Sequence, residues 1–514
     1  MRNNLVKILM LFILHYSSPL WSQTLEISLD LSMATEGMTK FLILPVPMRT
    51  IHIDGMLSLY SGKASIAAKY TILNKWPALK KANYVRVLML ELPNKQSFSQ
   101  GLTLRWHNNI LSTEQKKANI NSNLAEYADI RDAVLVAPKQ SWLTQALLLH
   151  PAQTNLTVDW YLEPQKKYAH YVSNQTLLEK NGYPANKSSQ WLYDRPQAIY
   201  QLFLMSGQKE WLTKANELAD FYISNIDQEG VFVLKKRFDP KLLMPKGVLY
   251  RYLLTGDIAA KDTLKRMFVK SFDWDESYSL QRGFWTERNQ AAALNVAVSY
   301  WELTNDPKAL KRIHDIVDAT VAMTFNPGND WPLRGCPQHG FKSHEGWGDD
   351  SPACSPWMMA LLGDALWRFY LLTGDDRAAA LIDAFGDFIL NYGLFYGDER
   401  VKNIVIPKYI VSMENPKQEE LNQWTNPQHA CDVAALLGKS AFIKQKNNRD
   451  NFLVKTLFNA LVEQCQESYL RLKSKQKNKQ EKSYWTIKPP RRFGWMYSTT
   501  SDLPWLKNML SNVN

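Results

Sequence analysis

The stretch "FWTERN" sets Glu287, Arg288 and Asn289 side by side, directly before "QAAALNVAVSYWELTND", which is almost wholly apolar or small. A helix that is hydrophobic on all sides is buried on all sides, so polar groups in its first turn face either a cap or a site. Three in a row exceed what capping requires. Comparable clusters stand before other apolar helices. "LYDRPQ" gives Tyr193, Asp194 and Arg195, and "MPKG" gives Lys246. "CSPW" gives Ser355 before Pro356, and "WTNPQHACD" gives Asn426 before Pro427, then His429. Ser or Asn followed by Pro is also a cap-then-first-position signature, so capping is expected of Ser355 and Asn426.

Side chains of these types on one face could do two kinds of chemistry. β-Elimination from a uronic acid needs cations or amides to neutralise the carboxylate, plus a His, Tyr or Lys base. Its candidates are Arg288, Asn289, His339, His344, His429 and Tyr193. Arg288 and Asn289 would meet the carboxylate at the positive end of a helix. His344, His339 or His429 would take the C5 proton, and Tyr193 would protonate the leaving oxygen. Glycoside hydrolysis needs two carboxyl groups flanking the scissile bond. Its candidates are Asp194, Glu287 and Glu345, with Glu287 and Asp194 as the pair. Trp331, Trp347, Lys246 and Asn426 are the candidate substrate contacts. A divalent cation at His339, His344, Glu345 and Asp349 is a further arrangement, but its spacing matches no zinc motif, and no metal or cofactor is expected. No G-x-S-x-G, P-loop or Rossmann fingerprint occurs.

A helical repeat positions these groups. "YQLFLMSGQKEW", "YRYLLTGDIAA", "YWELTNDPKAL" and "WRFYLLTGDDRA" recur, with a weaker copy, "VAALLGKSAF". Each is an aromatic/Leu helix closing at Gly207, Gly256, Asn305, Gly374 or Gly438, residues suited to the left-handed turn that ends a helix. An amphipathic helix follows each. Repeated helix pairs of this length predict a solenoid or a closed toroid. The apolar first helices form an inner ring, the amphipathic second ones an outer ring, and closure is favoured. The inner N-termini then share one face with the long 324–354 loop. A loop this long in a compact domain is usually functional or disordered. Pairing of Cys336 with Cys354 would order it, while Cys431 and Cys465 could pair or stay as buried thiols.

Ahead of the helices, "TLEISLDLSM", "KASIAAKYTIL", "NYVRVLMLELP", "GLTLRW" and "TNLTVDWYLEP" read as short strands, predicting a β-sandwich over 23–165 and an (α/α) toroid over 190–514. Residues 1–22 read as a signal peptide, with Arg2 and Lys7 before a short apolar run, so a periplasmic or secreted chain without a stable membrane anchor is expected. The formal net charge is +12, of which +8 falls in the run Arg471 to Arg492. That run reads as a solvated helix end and loop, with a polyanion-binding patch as the alternative. Nucleic acid is not expected, since no recognition motif accompanies the charge.

The layout resembles the α/α-toroid polysaccharide lyases and six-hairpin glycosidases over about residues 190–510. "ILNKWPALKKANYVRVLMLELP" with the earlier "PVPM" is similar to the front domain of exo-rhamnogalacturonan-lyase-like proteins. There a Trp-Pro-Asp-Gly-Ser-type turn precedes a Val-Arg-Trp-Leu-type strand. Trp76, Pro77 and Val85-Arg86-Val87-Leu88 fit, but a longer insert replaces Asp-Gly-Ser. The resemblance implies an exported enzyme acting on an acidic polysaccharide or oligosaccharide, and carries over no single catalytic residue. A noncatalytic glycan-binding protein, and an assembly protein using the basic run, are the readings from other classes.

Overall fold

The computed structural model describes residues 25–31, 39–96, 101–108, 120–121, 133–137, 139–150, 158–235, 237–277, 286–328, 331, 334–397, 405–412, 429–475 and 489–511. The expected signal segment 1–22, Asn426, and residues 476–488 of the basic run lie outside the described residues. The chain forms two compact units, the first running to Leu147 apart from short exchanges at Pro77–Leu79 and Leu253–Asp257.

The first unit holds nine strands: β1 (Leu25–Leu29), β2 (Thr39–Pro45), β3 (Met56–Ser61), β4 (Ala64–Ile66), β5 (Lys69–Lys75), β6 (Val85–Gln96), β7 (Leu102–His107), β8 (Ile120–Asn121) and β9 (Val134–Leu135). They make a four-stranded sheet, order β1-β7-β3-β4, and a five-stranded sheet, order β8-β5-β6-β2-β9. Strand β7 alternates buried Leu102, Leu104 and Trp106 with less buried neighbours, the period-two pattern of a half-buried strand. Leu57, Leu59 and Leu104 from one sheet share a single core with Leu44, Ile72 and Leu88 from the other, which is the expected sandwich. Arg86 lies 4.4 Å over the Trp76 ring, and Trp76 Nε1 donates to the Val46 carbonyl at 2.9 Å. The Trp76 and Arg86 side chains of the motif are both buried.

One expected strand is a helix. "TNLTVDWYLEP" is β-prone in composition, yet Asp159–Val172 is helical, so the expected boundary at 165 falls inside it. Burial of Tyr161, Leu162, Gln165 and Tyr168 on one face, and a 2.8 Å hydrogen bond between the Tyr161 and Thr500 hydroxyls, outweigh local propensity and the internal Pro164.

Helices are numbered α1 (Gln140–Ala146), α2 (Asp159–Val172), α3 (Gln175–Lys180), α4 (Arg195–Ser206), α5 (Lys209–Ser224), α6 (Pro245–Thr255), α7 (Ile258–Lys270), α8 (Glu287–Thr304), α9 (Pro307–Phe325), α10 (Phe341–Glu345), α11 (Pro356–Thr373), α12 (Asp376–Tyr392), α13 (Ala430–Lys446), α14 (Phe452–Lys475), α15 (Pro489–Ser498) and α16 (Leu503–Ser511). The inner ring among the described residues is α4, α6, α8, α11, α13 and α15. Helix α8 packs on α11, α11 on α13, α13 on α15 and α15 on α4, and Asp194 at the start of α4 accepts from Gly247 N of α6 at 3.0 Å. Helices α5, α9, α12 and α14 lie outside their inner partners, and α2 packs outside α4 and α15. Inner helices are buried nearly all round, α4 most completely, whereas α9 and α12 each bury one face. Gly207, Asn305 and Gly374 close α4, α8 and α11 in the left-handed conformation, as the repeated phrase predicts. The weak copy is different. Gly438 lies inside α13, where an added Cβ would come 2.8 Å from the Phe458 ring of α14. It is a close-packing glycine, and α13 runs on to Lys446.

Buried ion pairs tie the inner helices together. Asp364 of α11 accepts from Lys246 of α6 at 2.6 Å and from Lys439 of α13 at 2.7 Å. Arg368 of α11 forms a two-pronged pair with Glu302 of α8, at 2.8 and 2.7 Å. Two disulfides form. Cys431–Cys465 joins α13 to α14, and Cys336–Cys354 pins the long loop, as expected. Within that loop His339–Gly340 pairs with Pro352–Cys354, which pairs in turn with Val411–Ser412. Replacing Cys336 and Cys354 with Ser is expected to cost about 3 kcal/mol in urea unfolding, the loop-closure value for this span. An unchanged midpoint and slope would show that the bridge does not hold the loop.

Candidate functional site

The cleft lies at the N-termini of the inner helices. Tyr193, Asp194, Lys241, Lys246, Arg288 and Asp364 line it, with Ala291, Asn295 and Thr499 among the others. The shared mouth predicted from the sequence therefore exists for α4, α6 and α8.

Its sharpest feature is the corner before α4. Tyr193 and Asp194 both adopt positive φ, 70° and 46°. Asp enters this region more readily than most residues, but for a bulky Tyr it is a genuine outlier, costing roughly 1–3 kcal/mol. The corner is held from three sides. Asp194 accepts from Gln197 N at 3.1 Å, capping α4, and from Gly247 N at 3.0 Å, tying α4 to α6. Gly494 of α15 passes so close that an added Cβ would lie 2.7 Å from the Tyr193 carbonyl oxygen. The result aims a tyrosine that is 6% exposed into a cationic corner. The Arg491 guanidinium sits 5.6 Å from its ring centroid, and its hydroxyl faces the side chains of Arg491 and Arg288. Burial alone would raise the Tyr193 hydroxyl, but the charges of Arg491 and Arg288 overcome it and bring the group below the ordinary phenol value. Arg288 lies 5.6 Å over the Trp357 ring, and neither arginine has a carboxylate partner among the described residues.

An aromatic wall continues from Tyr193. Trp495 stacks on Tyr193 at 5.5 Å and meets His429 at 3.8 Å, and Trp357 stacks on His429 at 5.0 Å. His429 is buried. Its Nδ1 donates to Asp432 Oδ2 at 3.1 Å, and its Nε2 has no partner among the described residues. Burial, with Arg492 and Arg491 nearby, keeps His429 below the ordinary histidine value although Asp432 opposes the shift.

The other two candidate histidines are committed elsewhere. His339 Nδ1 contacts Glu287 Oε2 at 2.7 Å, both side chains fully buried. Glu287 Oε1 accepts from Ser355 N at 2.9 Å, so this carboxylate fastens the loop and α11 to the start of α8. Ser355 Oγ donates to the Tyr409 carbonyl at 3.0 Å and so accepts from His344 Nδ1 at 3.2 Å. Tyr409 OH occupies His344 Nε2 at 3.1 Å, which leaves that ring no nitrogen for a substrate. Burial, with the charges of His339, Arg288 and His429, holds His344 well below the ordinary histidine value.

Ser355 precedes α11 but makes no side-chain cap, since its hydroxyl is spent in the His344–Tyr409 cluster. Thr286 supplies the cap of α8, and Asn289 is buried in its first turn. Asp194 lines the cleft with both oxygens bound by backbone N–H groups, and burial raises it to about 6. The hydrolytic pair of Glu287 and Asp194 therefore lacks a carboxylate free of backbone bonds. Lys246 sits in the cleft floor, paired with Asp364. Trp347 is 46% exposed, as a sugar platform would be, whereas Trp331 is buried. The Glu345 side chain lies outside the described residues, and among the described residues no three His, Cys, Asp or Glu side chains gather as metal ligands. Arg491 and Arg492 belong to an inner helix, with Arg492 buried, so the end of the basic run is not a solvated surface.

Reading the sequence missed Trp357, Asp432, Arg491 and Trp495. Asp432 carried a signal, since His429 and Asp432 are three apart at a helix start and so neighbours on one face. Arg491 and Trp495 carried none beyond the motif "RRFGW" at the end of a charge run.

No protein-family model and no curated protein matches the chain. Several solved structures are similar in fold. One is an unsaturated glucuronyl hydrolase specific for heparin, at 11% identity and TM-score 0.43, covering 68% of this chain and 98% of its own. Another is a polysaccharide lyase, at 10% identity and TM-score 0.43, covering 68% and 99%. A third is a family 76 glycoside hydrolase from a bovine Bacteroides thetaiotaomicron strain, at 9% identity and TM-score 0.41, covering 91% and 100%. At identities this low and TM-scores under 0.5, these likenesses bear on no residue or activity of this chain.

Proposed function

We propose that the helical ring is an exported enzyme that binds an acidic polysaccharide or oligosaccharide at its inner-helix mouth and cleaves it by β-elimination at a uronic acid. The observation that carries this reading is the Tyr193 hydroxyl set between Arg491 and Arg288, two cations without carboxylate partners among the described residues. A substrate carboxylate supplies the missing counter-charge, and a guanidinium–carboxylate contact in a desolvated cleft is charge-assisted. The N-terminus of α8 adds its dipole in the same sense. Neutralising the carboxylate acidifies the C5 proton. His429 Nε2 takes it, the C5–H electrons form the C4–C5 double bond, the C4–O bond breaks, and Tyr193 protonates the leaving oxygen. Glu287 and Asp194 act as organisers of α8, α11 and the Tyr193 corner. The signal-like N-terminus and two disulfides support an oxidising compartment. The Trp76–Pro77 resemblance supports the same substrate class.

Incubation of the purified chain with a panel of acidic polysaccharides tests this. Ultraviolet absorbance of an unsaturated uronate should appear together with new reducing ends, and Arg288→Ala should remove both. Hydrolysis is the second reading, favoured by one observation: Asp194 is raised to about 6 in the cleft. It requires reducing ends without the chromophore, and loss of activity in Asp194→Asn.

The pH dependence follows from the two proton carriers. A base works when deprotonated, so activity should rise with pH through the His429 value, which lies below the ordinary 6.5. An acid works when protonated, so activity should fall as pH passes the Tyr193 value, which lies below the ordinary 10.0. A pH–kcat profile should be bell-shaped between these limits, and Tyr193→Phe should lose the alkaline limb. A profile still rising at pH 10 would exclude Tyr193 as the acid.

A further inference from the structure

We infer that Asp432 is a positioning residue that locks His429 as its Nδ1–H tautomer and leaves Nε2 as the ring's proton-accepting nitrogen. This rests on the elimination reading for its catalytic consequence, but its geometry stands alone. His429 precedes α13, and Asp432 lies in that helix's first turn, on the same face. The Asp432 Oδ2 atom accepts twice, from His429 Nδ1 at 3.1 Å and from Trp495 Nε1 at 2.7 Å. An indole N–H can only donate and a carboxylate oxygen can only accept, so the hydrogen of the first contact belongs to His429 Nδ1. The second oxygen, Oδ1, accepts from Val433 N at 3.0 Å, so the carboxylate cannot turn away.

The ring is fixed as well as polarised. Trp357 stacks on it at 5.0 Å and Trp495 packs against it at 3.8 Å. The histidine is 1% exposed, and its Nε2 has no partner among the described residues. An unsatisfied buried acceptor costs about 1–3 kcal/mol unless water or a ligand meets it. The groups facing the ring are Asp432 from its own helix, Arg491 and Arg492 from α15, His344 from the bridged loop, and Tyr409. Asp432 is the anion among them. It therefore sets both the tautomer and how readily the ring accepts a proton.

Histidine-selective nitrogen-15 spectra of the full chain, without substrate, test this independently of turnover, with His429→Gln assigning the signals. The wild-type ring should be neutral at pH 7 and carry its hydrogen on Nδ1. In Asp432→Asn, which keeps the shape and removes the charge, the protonation midpoint of His429 should move to lower pH. In Asp432→Ala the Nδ1–H preference should disappear. An Nε2–H ring in the wild type, or an unmoved midpoint in folded Asp432→Asn, would overturn the assignment. With an active preparation, Asp432→Asn should lower kcat by about 10²-fold with KM unchanged and shift the acid limb downward. If no elimination is found while the tautomer result holds, only the functional reading fails.

Discussion

Tyr193→Phe is expected to lower kcat on a uronate-containing substrate by about 10²- to 10⁴-fold, the range for a general acid or base, with KM little changed. The reason is local. The hydroxyl faces Arg491 and Arg288, while the ring is stacked on Trp495 at 5.5 Å. Removing one oxygen leaves the stack, the corner and the ring closure in place, so the melting temperature should hold or rise slightly. The result separates chemistry from architecture, because a structural tyrosine would lose stability and activity together. Equal kcat for the two proteins would remove Tyr193 from the mechanism.

The largest expected stability effect comes from Asp364→Asn. Asp364 is the shared partner of two nearly buried ammonium groups, Lys246 and Lys439. Burial by itself would raise its carboxyl, but the two lysines outweigh that and hold it below the ordinary carboxylate value. Loss of one member of a buried pair costs about 3–5 kcal/mol, because the remaining charge stays desolvated. Here two charges are stranded, so the upper end applies, read from chemical denaturation. The pH dependence has a definite sign. A depressed native value means that the contribution is present above the unfolded carboxyl value near 3.8 and is lost as pH falls through the native one. Acid unfolding of the wild type should therefore steepen below pH 4 relative to Asp364→Asn. A variant as stable as the wild type would mean that the lysines find other partners and that the triad does not tie α6, α11 and α13.

The double ring was readable in the sequence because its signals are local. A helix closing at Gly207, Asn305 or Gly374, followed at once by an amphipathic helix, needs no tertiary knowledge to recognise. The same rule misled at Gly438, where the glycine admits Phe458 inside a continuous helix. It could not see α2 either, whose strand-like composition is overruled by burial against the ring.

The site was half readable for the same reason. Arg288, Tyr193 and His429 stood out as polar groups before apolar helices. Their partners Arg491 and Trp495 lie far along the chain and meet Tyr193 only because α15 closes the ring on α4. Ring closure is a global property with no sequence spacing to reveal it. Glu287 drew the eye as a catalytic acid because its burial partners, His339 and Ser355 N, come from a loop and a helix start that the sequence could not place around it.

The most direct test of elimination is the origin of the oxygen in the products. The reaction is run in heavy-oxygen water on a defined uronate-containing oligosaccharide, and the products are weighed by mass spectrometry. Elimination breaks the C4–O bond without water, so the two product masses should sum to the substrate mass, and neither should take up solvent oxygen during the reaction. A product pair heavier by one water, with heavy oxygen in the new hydroxyl, would contradict the account and assign hydrolysis to the cleft.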